Sequence, residues 1–505
     1  MKKISLVSLF CFSLVITGIT QGGSLDTLFG ENGFTVWDNN GNTDAFYSMT
    51  QSSDGKIFLS GYTANGNNET PAIIQLDPNG KRNNAFGNEG MVALEPTATS
   101  GETADIAIYG ESIYVAYYAT IDENFSGAIT KYDLSGIPDS SFGETGKKTI
   151  SYNAQSYTPK SIAIDDQENI YVLAIRGAGF IVMKMDKNGV ADQPYGDNGV
   201  FFYEFDQGFA NLEDISLLAD GLILITGQHF ISSSTDPEAP LVVFRLNTSG
   251  NLDETFHQTG FRSIELGEDI LLSAYKIFWS EQEEKLIIIG SYYSDNHDGL
   301  VMRLNPDGSD DDSFGNSGVV LIEEIRQPLY DGFRDLEGRI VVAGDDYIIR
   351  LTATGEKDNS FGTNGIVSDQ YNIYACDMDA TGNYLVTGSS YNGNDLDGFV
   401  SKYLAEDMSS STEDIDHQLL NVESTPNPFV DYINVSIYNK NDLPSARIVI
   451  QNQIGQVVYR SPSFHLNFGI NHISINEKLS TLEPQTYILS VVTGKGVTSK
   501  KVIKL

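Results

Sequence analysis

Cysteine is almost absent: the 505-residue chain has two, Cys11 and Cys376. Cys11 falls in an apolar N-terminal segment that reads as a removable leader, which leaves a mature chain with one thiol and no intramolecular disulfide. Basic residues are scarce over most of the length. Residues 21–420 hold 21 Lys or Arg against 63 Asp or Glu, a net charge of −42, whereas residues 421–505 hold eight against five. A surface that acidic repels phosphate, so nucleic acid and anionic membrane surfaces are poor partners for this large region, and cations, basic proteins and neutral glycans remain. No apolar run is long enough to cross a bilayer, so no transmembrane segment is predicted. Between residues 21 and 400 no stretch holds a helical period for three turns. The chain also lacks His-Glu-x-x-His, Gly-x-Ser-x-Gly and a P-loop. Its six His are scattered, two of them (His465 and His472) near the C-terminus. No catalytic, cofactor-binding or metal-ligating residue is therefore assigned, and a non-enzymatic role is the expectation.

Glycine and aromatic residues, by contrast, recur in a fixed phrase, Gly-x-x-Asp-x-x-Phe-Gly-x-x-Gly. Seven copies occur, centred on Phe29, Phe86, Phe142, Tyr195, Phe256, Phe314 and Phe361, at spacings of 57, 56, 53, 61, 58 and 47 residues. Asn83 replaces the Asp in the second copy, and His257 replaces the Gly after the aromatic in the fifth. Between copies the same short β-branched runs return. KLIIIG at Lys285–Gly290 matches KIFLSG at Lys56–Gly61 and RIVVAG at Arg339–Gly344; GLVMRL at Gly299–Leu304 matches LVVFRL at Leu241–Leu246 and FIVMKM at Phe180–Met185. Gly, Asn, Asp and Pro turns such as DPNG and NPDG separate them.

Four short antiparallel strands per unit, repeated at a fixed period, predict an all-β chain: a seven-bladed β-propeller of four-stranded blades over residues 21–404. The last unit (Ile373–Met378, Tyr384–Gly388, Gly398–Leu404) ends without a motif, and the first motif precedes the lone strand Phe34–Trp37. The N-terminal strand is thus expected to complete the last blade and close the ring. Within the motif, Asp should cap a single turn, the aromatic should bury between blades, and Gly should allow positive φ where the chain reverses.

The lines LDTLFGENG at Leu25, PDSSFGETG at Pro138 and DDSFGNSG at Asp311 resemble the delta-60 repeat family, a resemblance that implies propeller blades in an exported bacterial protein and no common reaction. Residues 1–20, with Lys2 and Lys3 before the apolar Leu6–Ile16, read as a signal peptide. Residues 405–424 are acidic and Ser-rich and read as a linker. Residues 425–505 shift to a basic, β-rich composition, expected to form a small β-sandwich. Their PNPF start at Pro426, the turn in RIVIQNQIGQVVYR and the KVIKL end resemble the type A C-terminal sorting domain of the type IX secretion system of Bacteroidetes. That resemblance implies export by the type IX machinery and release or attachment at the outer cell surface.

Function is expected in loops rather than in the motif. Long inserts between second and third strands, at Thr63–Thr70, His229–Pro240, Ser291–Asp298 and Ser389–Asp397, should share one rim, with Tyr117–Tyr118, Phe201–Tyr203, Tyr292–Tyr293 and Tyr391 as aromatic candidates. The expected role is binding of an extracellular glycan or protein. The alternatives are a hydrolase-like enzyme with an axial pocket and a calcium-stabilised structural protein. Asp310–Asp312, Asp345–Asp346 and Asp395/Asp397 carry acidic side chains but no complete calcium loop, and turn duty explains them.

Overall fold

A computed structural model describes residues 22–406 and 420–505, apart from 40, 66–67, 96–97, 122, 232–238, 268–269, 295, 440–442, 452–456, 462–463, 468, 477–478, 480–481, 483 and 494–495. The expected signal peptide, most of the expected linker and parts of three of the long inserts lie outside the described residues. The described residues are strands and turns, and no helix among them is long and apolar enough to cross a membrane.

Five four-stranded antiparallel meanders follow one another over residues 44–93, 100–149, 158–204, 209–264 and 271–322. The sixth sheet runs, in spatial order, Phe34–Trp37, Leu396–Tyr403, Tyr384–Tyr391, Ile366–Met378, Ile340–Leu351 and Asp331–Arg334. The N-terminal strand is its edge, in register from Phe34↔Ser401 to Trp37↔Gly398. The first strand of each sheet packs on the first strand of the next, and Ile366–Met378 packs on Asp44–Gln51, so the series returns to its start. The sheets are lined with apolar strands whose side chains fill the wedges between neighbours, as in the cluster of Leu224, Val243, Phe256, Ile288 and Met302.

Each motif lies between third and fourth strands and clasps the next sheet. The Asp caps its own turn: Ser313 N–H donates to Asp311 at 3.1 Å and Ser141 N–H to Asp139 at 2.9 Å. The seven aromatics are buried. The residue after each aromatic then donates its N–H to the carbonyl just before the first Gly of the following copy. These bonds run Gly30 to Asn79, Gly87 to Ser135, Gly143 to Asn188, Gly196 to Ser249, His257 to Asp307, Gly315 to Thr354, and finally Gly362 to Gly22, all between 2.7 and 3.1 Å. The last closes the circuit on the N-terminal copy. The first Gly is required because the preceding copy's ring lies against it; a Cβ at Gly308 would sit 2.7 Å from Phe256 Cε2. His257 keeps both the clasp and the left-handed backbone, at φ +48, so the sequence departure leaves the geometry intact.

A third-strand side chain braces six of the seven motifs; in the third copy Lys131 turns instead to Glu168 at 3.4 Å. Arg245, Arg303 and Arg350 bond the motif Asp eight residues on (Asp253, Asp311 and Asp358) at 2.7, 2.7 and 2.8 Å, and each guanidinium lies over the motif ring. Lys184 pairs with Asp192 at 2.8 Å, and Lys402 reaches Asp26 across the seam at 3.5 Å. In the second copy both partners change: Gln75 is bonded by Asn83 and donates to Leu134 O at 2.8 Å. The Asn83 departure is thus half of a neutral version of the same brace.

At the C-terminus two sheets, Leu420–Thr425/Ile433–Asn439/Gly469–Ile475 and one built on Leu443–Gln451, Thr486–Thr493 and Gly496–Ile503, enclose a shared core that includes Phe429, Val435, Ile448, Tyr487 and Leu489. The two sequence signatures meet there. Phe429 N–H donates to Ile503 O at 2.8 Å, and Leu505 N–H donates to Phe429 O at 2.9 Å. Arg447 pairs with Glu337 at 3.0 Å, which sets this unit against the turn after Asp331–Arg334.

Candidate functional site

The inner strands share an irregularity that builds the axial site. Each loses register by one residue, between Phe46 and Ser48, Thr103 and Asp105, Pro159 and Ser161, Leu212 and Asp214, Ala274 and Lys276, and Ile373 and Ala375. A bulge leaves its extra residue unpaired and re-aims it. The residues so turned are Tyr47, Ala104, Lys160, Glu213, Tyr275 and Tyr374. Tyr330, just before the strand Asp331–Arg334, occupies the equivalent place.

These side chains meet across sheets. Tyr275 and Tyr330 are 5.0 Å apart edge to face, Tyr330 and Tyr374 6.0 Å, and Tyr374 and Tyr47 5.2 Å; Tyr62 extends the series at 6.1 Å from Tyr47. At the other bulges Lys160 and Glu213 pair at 2.8 Å, and the remaining one carries the small Ala104. All the arc tyrosines are half-buried. Because Asp44 pairs with Thr63, and Phe209 with Phe230, the start of each inner strand lies at the end that carries the second-to-third-strand loops. The tyrosine arc thus lies just below that rim, where Phe125, Phe209, Tyr293 and Tyr391 are exposed.

One residue deeper is a polar belt. Ser48 donates to Asp105 at 2.7 Å, and Ser161 donates to Asp105 at 3.1 Å and to Asp214 at 2.9 Å. Lys276 lies 3.7 Å from both Asp214 and Asp331. Each Asp also accepts a backbone N–H from the next inner strand: Ile162 to Asp105, Ile277 to Asp214 and Cys376 to Asp331, at 2.8, 2.8 and 2.9 Å. Burial pushes Asp214 up to about 6 and raises Asp331 and Asp377, while the carboxylate of Asp214, then that of Asp331, raises the Lys276 ammonium. Lys276 keeps 36% of its side-chain surface exposed. Burial also raises the Cys376 thiol, which makes it an unreactive one. The acids of the belt are thus engaged in joining inner strands.

A group whose folded pKa lies above its unfolded value destabilises the fold when ionised, and that penalty fades as pH falls through the folded value. Stability should therefore rise between pH 7.5 and pH 5, with Asp214 contributing on the order of 2 kcal/mol. Asp214→Asn should flatten that rise in a series of melting curves. Below about pH 4 the trend reverses. Burial alone would raise Asp311, but Ser313 and Arg303 outweigh it and hold it at about 2, so its stabilisation is lost as pH falls towards that value.

The residues singled out from sequence separate. Tyr117 is buried on Glu95, and Phe201 and Tyr203 sit in an aromatic core with Phe180 and Phe244; Tyr118 bonds Glu102, whereas Tyr293 and Tyr391 reach the rim. Asp310 and Asp311 serve Arg262 and Arg303. Asp345, at φ +35, forms the corner within Ile340–Leu351. The four arc tyrosines were not singled out, although FYS, AYK, LYD and IYA place Tyr at one register of successive first strands.

Comparison with known proteins bears on the two ends of the chain differently. Residues 425–505 match the family described as "Secretion system C-terminal sorting domain". The protein is accordingly secreted or attached at the cell surface. Residues 52–86, 285–314 and 338–361 match the family described as "Domain of unknown function (DUF5122) beta-propeller". No curated protein matches the chain. Among solved structures, PorZ, an essential surface component of the type IX secretion system of Porphyromonas gingivalis, is similar at TM-score 0.39 and 12% identity, over 91% of this chain and 59% of that one. The chain thus spans about three-fifths of PorZ. A catalytically inactive virginiamycin B lyase from Staphylococcus aureus is similar at TM-score 0.41 and 12% identity, over 73% of this chain and 99% of the other. Sqt1 from Chaetomium thermophilum follows at 0.42 and 12%, over 74% and 98%. At these scores the likeness carries neither a site nor an activity.

Proposed function

We propose that the chain is an exported seven-bladed propeller, residues 21–404, joined by a linker at 405–424 to a small β-sandwich at 425–505, and that the channel mouth of the propeller binds an extracellular glycan. The single observation that supports the binding reading is the tyrosine arc Tyr275–Tyr330–Tyr374–Tyr47 at the bulges of successive inner strands. Tyrosine offers an apolar face to the C–H face of a sugar ring and a hydroxyl at its edge. Lys160 and Glu213 at two of the other bulges add a charged donor and acceptor for hydroxyl groups. Aromatic side chains with a few convergent polar groups are what small-ligand sites are built from. The engaged Asp belt beneath favours binding over hydrolysis, since no carboxylate pair there is left free for a substrate.

The test is a glycan array probed with the mature chain, repeated with Tyr374→Ala. Wild type should retain a defined set of glycans, and the variant should lose at least tenfold in affinity while melting normally. Binding confined to a surface-protein array, or retained in full by the variant, would overturn the glycan reading.

A further inference from the structure

The seam where the N-terminal strand meets the last one holds three carboxylates that the binding reading does not use. Asp38 follows the strand Phe34–Trp37, Asp397 lies in its partner Leu396–Tyr403, and Asp44 opens the first inner strand. One oxygen from each falls within 4.8 Å of the others. That is the span expected of oxygens sharing one calcium, whose bonds are 2.3–2.6 Å long.

Two features distinguish this cluster from a solvated acidic turn. Asp44 is wholly buried and Asp397 only 6% exposed. Their Oδ1 atoms are buried without a hydrogen-bond partner, whereas Oδ2 of Asp44 accepts the Asn39 N–H at 2.8 Å and Oδ2 of Asp397 accepts from Asn392 at 2.9 Å. A buried anionic oxygen with no donor is costly, and a cation is the partner that offsets the cost. The seam's lysine cannot serve: Lys402 is engaged by Asp379 at 2.6 Å and Asp26 at 3.5 Å. Burial raises both Asp44 and Asp397; Thr63 and Asn39 offset part of this at Asp44 and Asn392 at Asp397, and repulsion from neighbouring carboxylates adds to it.

The local backbone is also shaped for the purpose. The segment ending at Asp44 turns at Gly41, φ +73, whose N–H donates to Asp38 Oδ1 at 2.6 Å. Hard, all-oxygen donors select calcium over transition metals, and an irregular carboxylate set suits calcium better than the strict octahedron of magnesium.

We infer that Asp38, Asp44 and Asp397 form a calcium site that ties the N-terminal strand, the last strand and the first sheet together at the ring's closure. Calcium-binding modules outside the cell work at about 10⁻⁴–10⁻³ M, a range that fits a secreted or surface-attached chain. The site would make closure dependent on export into a calcium-containing medium.

The experiment uses the full mature chain stripped with EDTA, titrated with calcium chloride and followed by thermal melting, with terbium luminescence excited through the adjacent Trp37 as a direct readout. The midpoint should rise by about 1–2 °C at millimolar calcium, and terbium should bind at one ion per chain and be displaced by calcium. Asp44→Asn with Asp397→Asn should abolish both responses, yet melt in EDTA no lower than wild type, because two repelling charges are gone. Should that pair fail to fold, Asp38→Asn, at an exposed position, should still weaken terbium binding at least tenfold. A wild-type chain indifferent to calcium, or variants that respond as wild type does, would overturn the inference.

Discussion

Deleting residues 22–37 is expected to abolish cooperative unfolding of the whole sheet array rather than shave a few degrees from its midpoint. The segment supplies an edge strand paired residue by residue with Leu396–Tyr403, and it supplies Gly22, whose carbonyl accepts Gly362 N–H at 2.8 Å and whose N–H donates to Ser360 O at 2.9 Å. It also removes Phe29 and Trp37, both buried in a core with Phe46, Leu385 and Val400. Losing one buried aromatic of this size costs about 3–5 kcal/mol. Two of them, with the strand pairing, approach the 5–15 kcal/mol that holds a typical domain together. The remaining sheet edge would be exposed as well, an invitation to association between chains. Calorimetry of the shortened chain should show no sharp transition, and size-exclusion chromatography should show aggregates. A melting curve superimposable on that of the intact chain would contradict closure through this strand.

Breaking one motif brace should be the most damaging single change inside a blade. Arg303 and Asp311 are both nearly buried and bonded at 2.7 Å, Arg303 also reaches Ser313 at 3.0 Å, and its guanidinium lies 4.6 Å above Phe314. Removing Asp311 strands the Arg303 charge in a low-dielectric site, which costs about 3–5 kcal/mol, and removing Arg303 leaves Asp311 only the more distant Lys285 at 3.5 Å. The chain itself contains the remedy, because Gln75 and Asn83 occupy the same two places as a neutral pair. Arg303→Gln combined with Asp311→Asn should therefore recover most of what either Arg303→Ala or Asp311→Ala loses, to within about 2 kcal/mol of wild type by denaturant unfolding. A double change as damaging as the two alanine variants summed would show that the brace depends on charge and not on its hydrogen-bond geometry.

The repeat made the strands and turns legible before any coordinates. Period, strand order and the split of one unit between the two ends follow from local residues, and local residues decide turns. The bracing cation was in plain sight in LVVFRL, GLVMRL and YIIRL, but its role depends on the third strand folding back so that a residue eight positions on faces it. The arc tyrosines were hidden for a different reason. A single Tyr in an alternating strand reads as half-buried filler, and only the bulge, which slips the register by one, turns Tyr374 away from its sheet and towards Tyr330 and Tyr47. The seam carboxylates join Asp38 to Asp397, positions near opposite ends of the ring, and no window along the sequence contains both. The belt shows the converse: acids that resemble catalytic candidates by type are absorbed by backbone N–H groups of the adjacent strand.

The most direct test of the binding site is a crystal structure of the mature chain with the glycan that the array selects. The arrangement of Tyr275, Tyr330, Tyr374 and Tyr47 predicts a sugar ring stacked on this arc, with its hydroxyl groups within hydrogen-bond reach of Lys160 or Glu213. A sugar bound instead on the outer rim at Tyr391 or Tyr293, with the channel mouth empty, would contradict it.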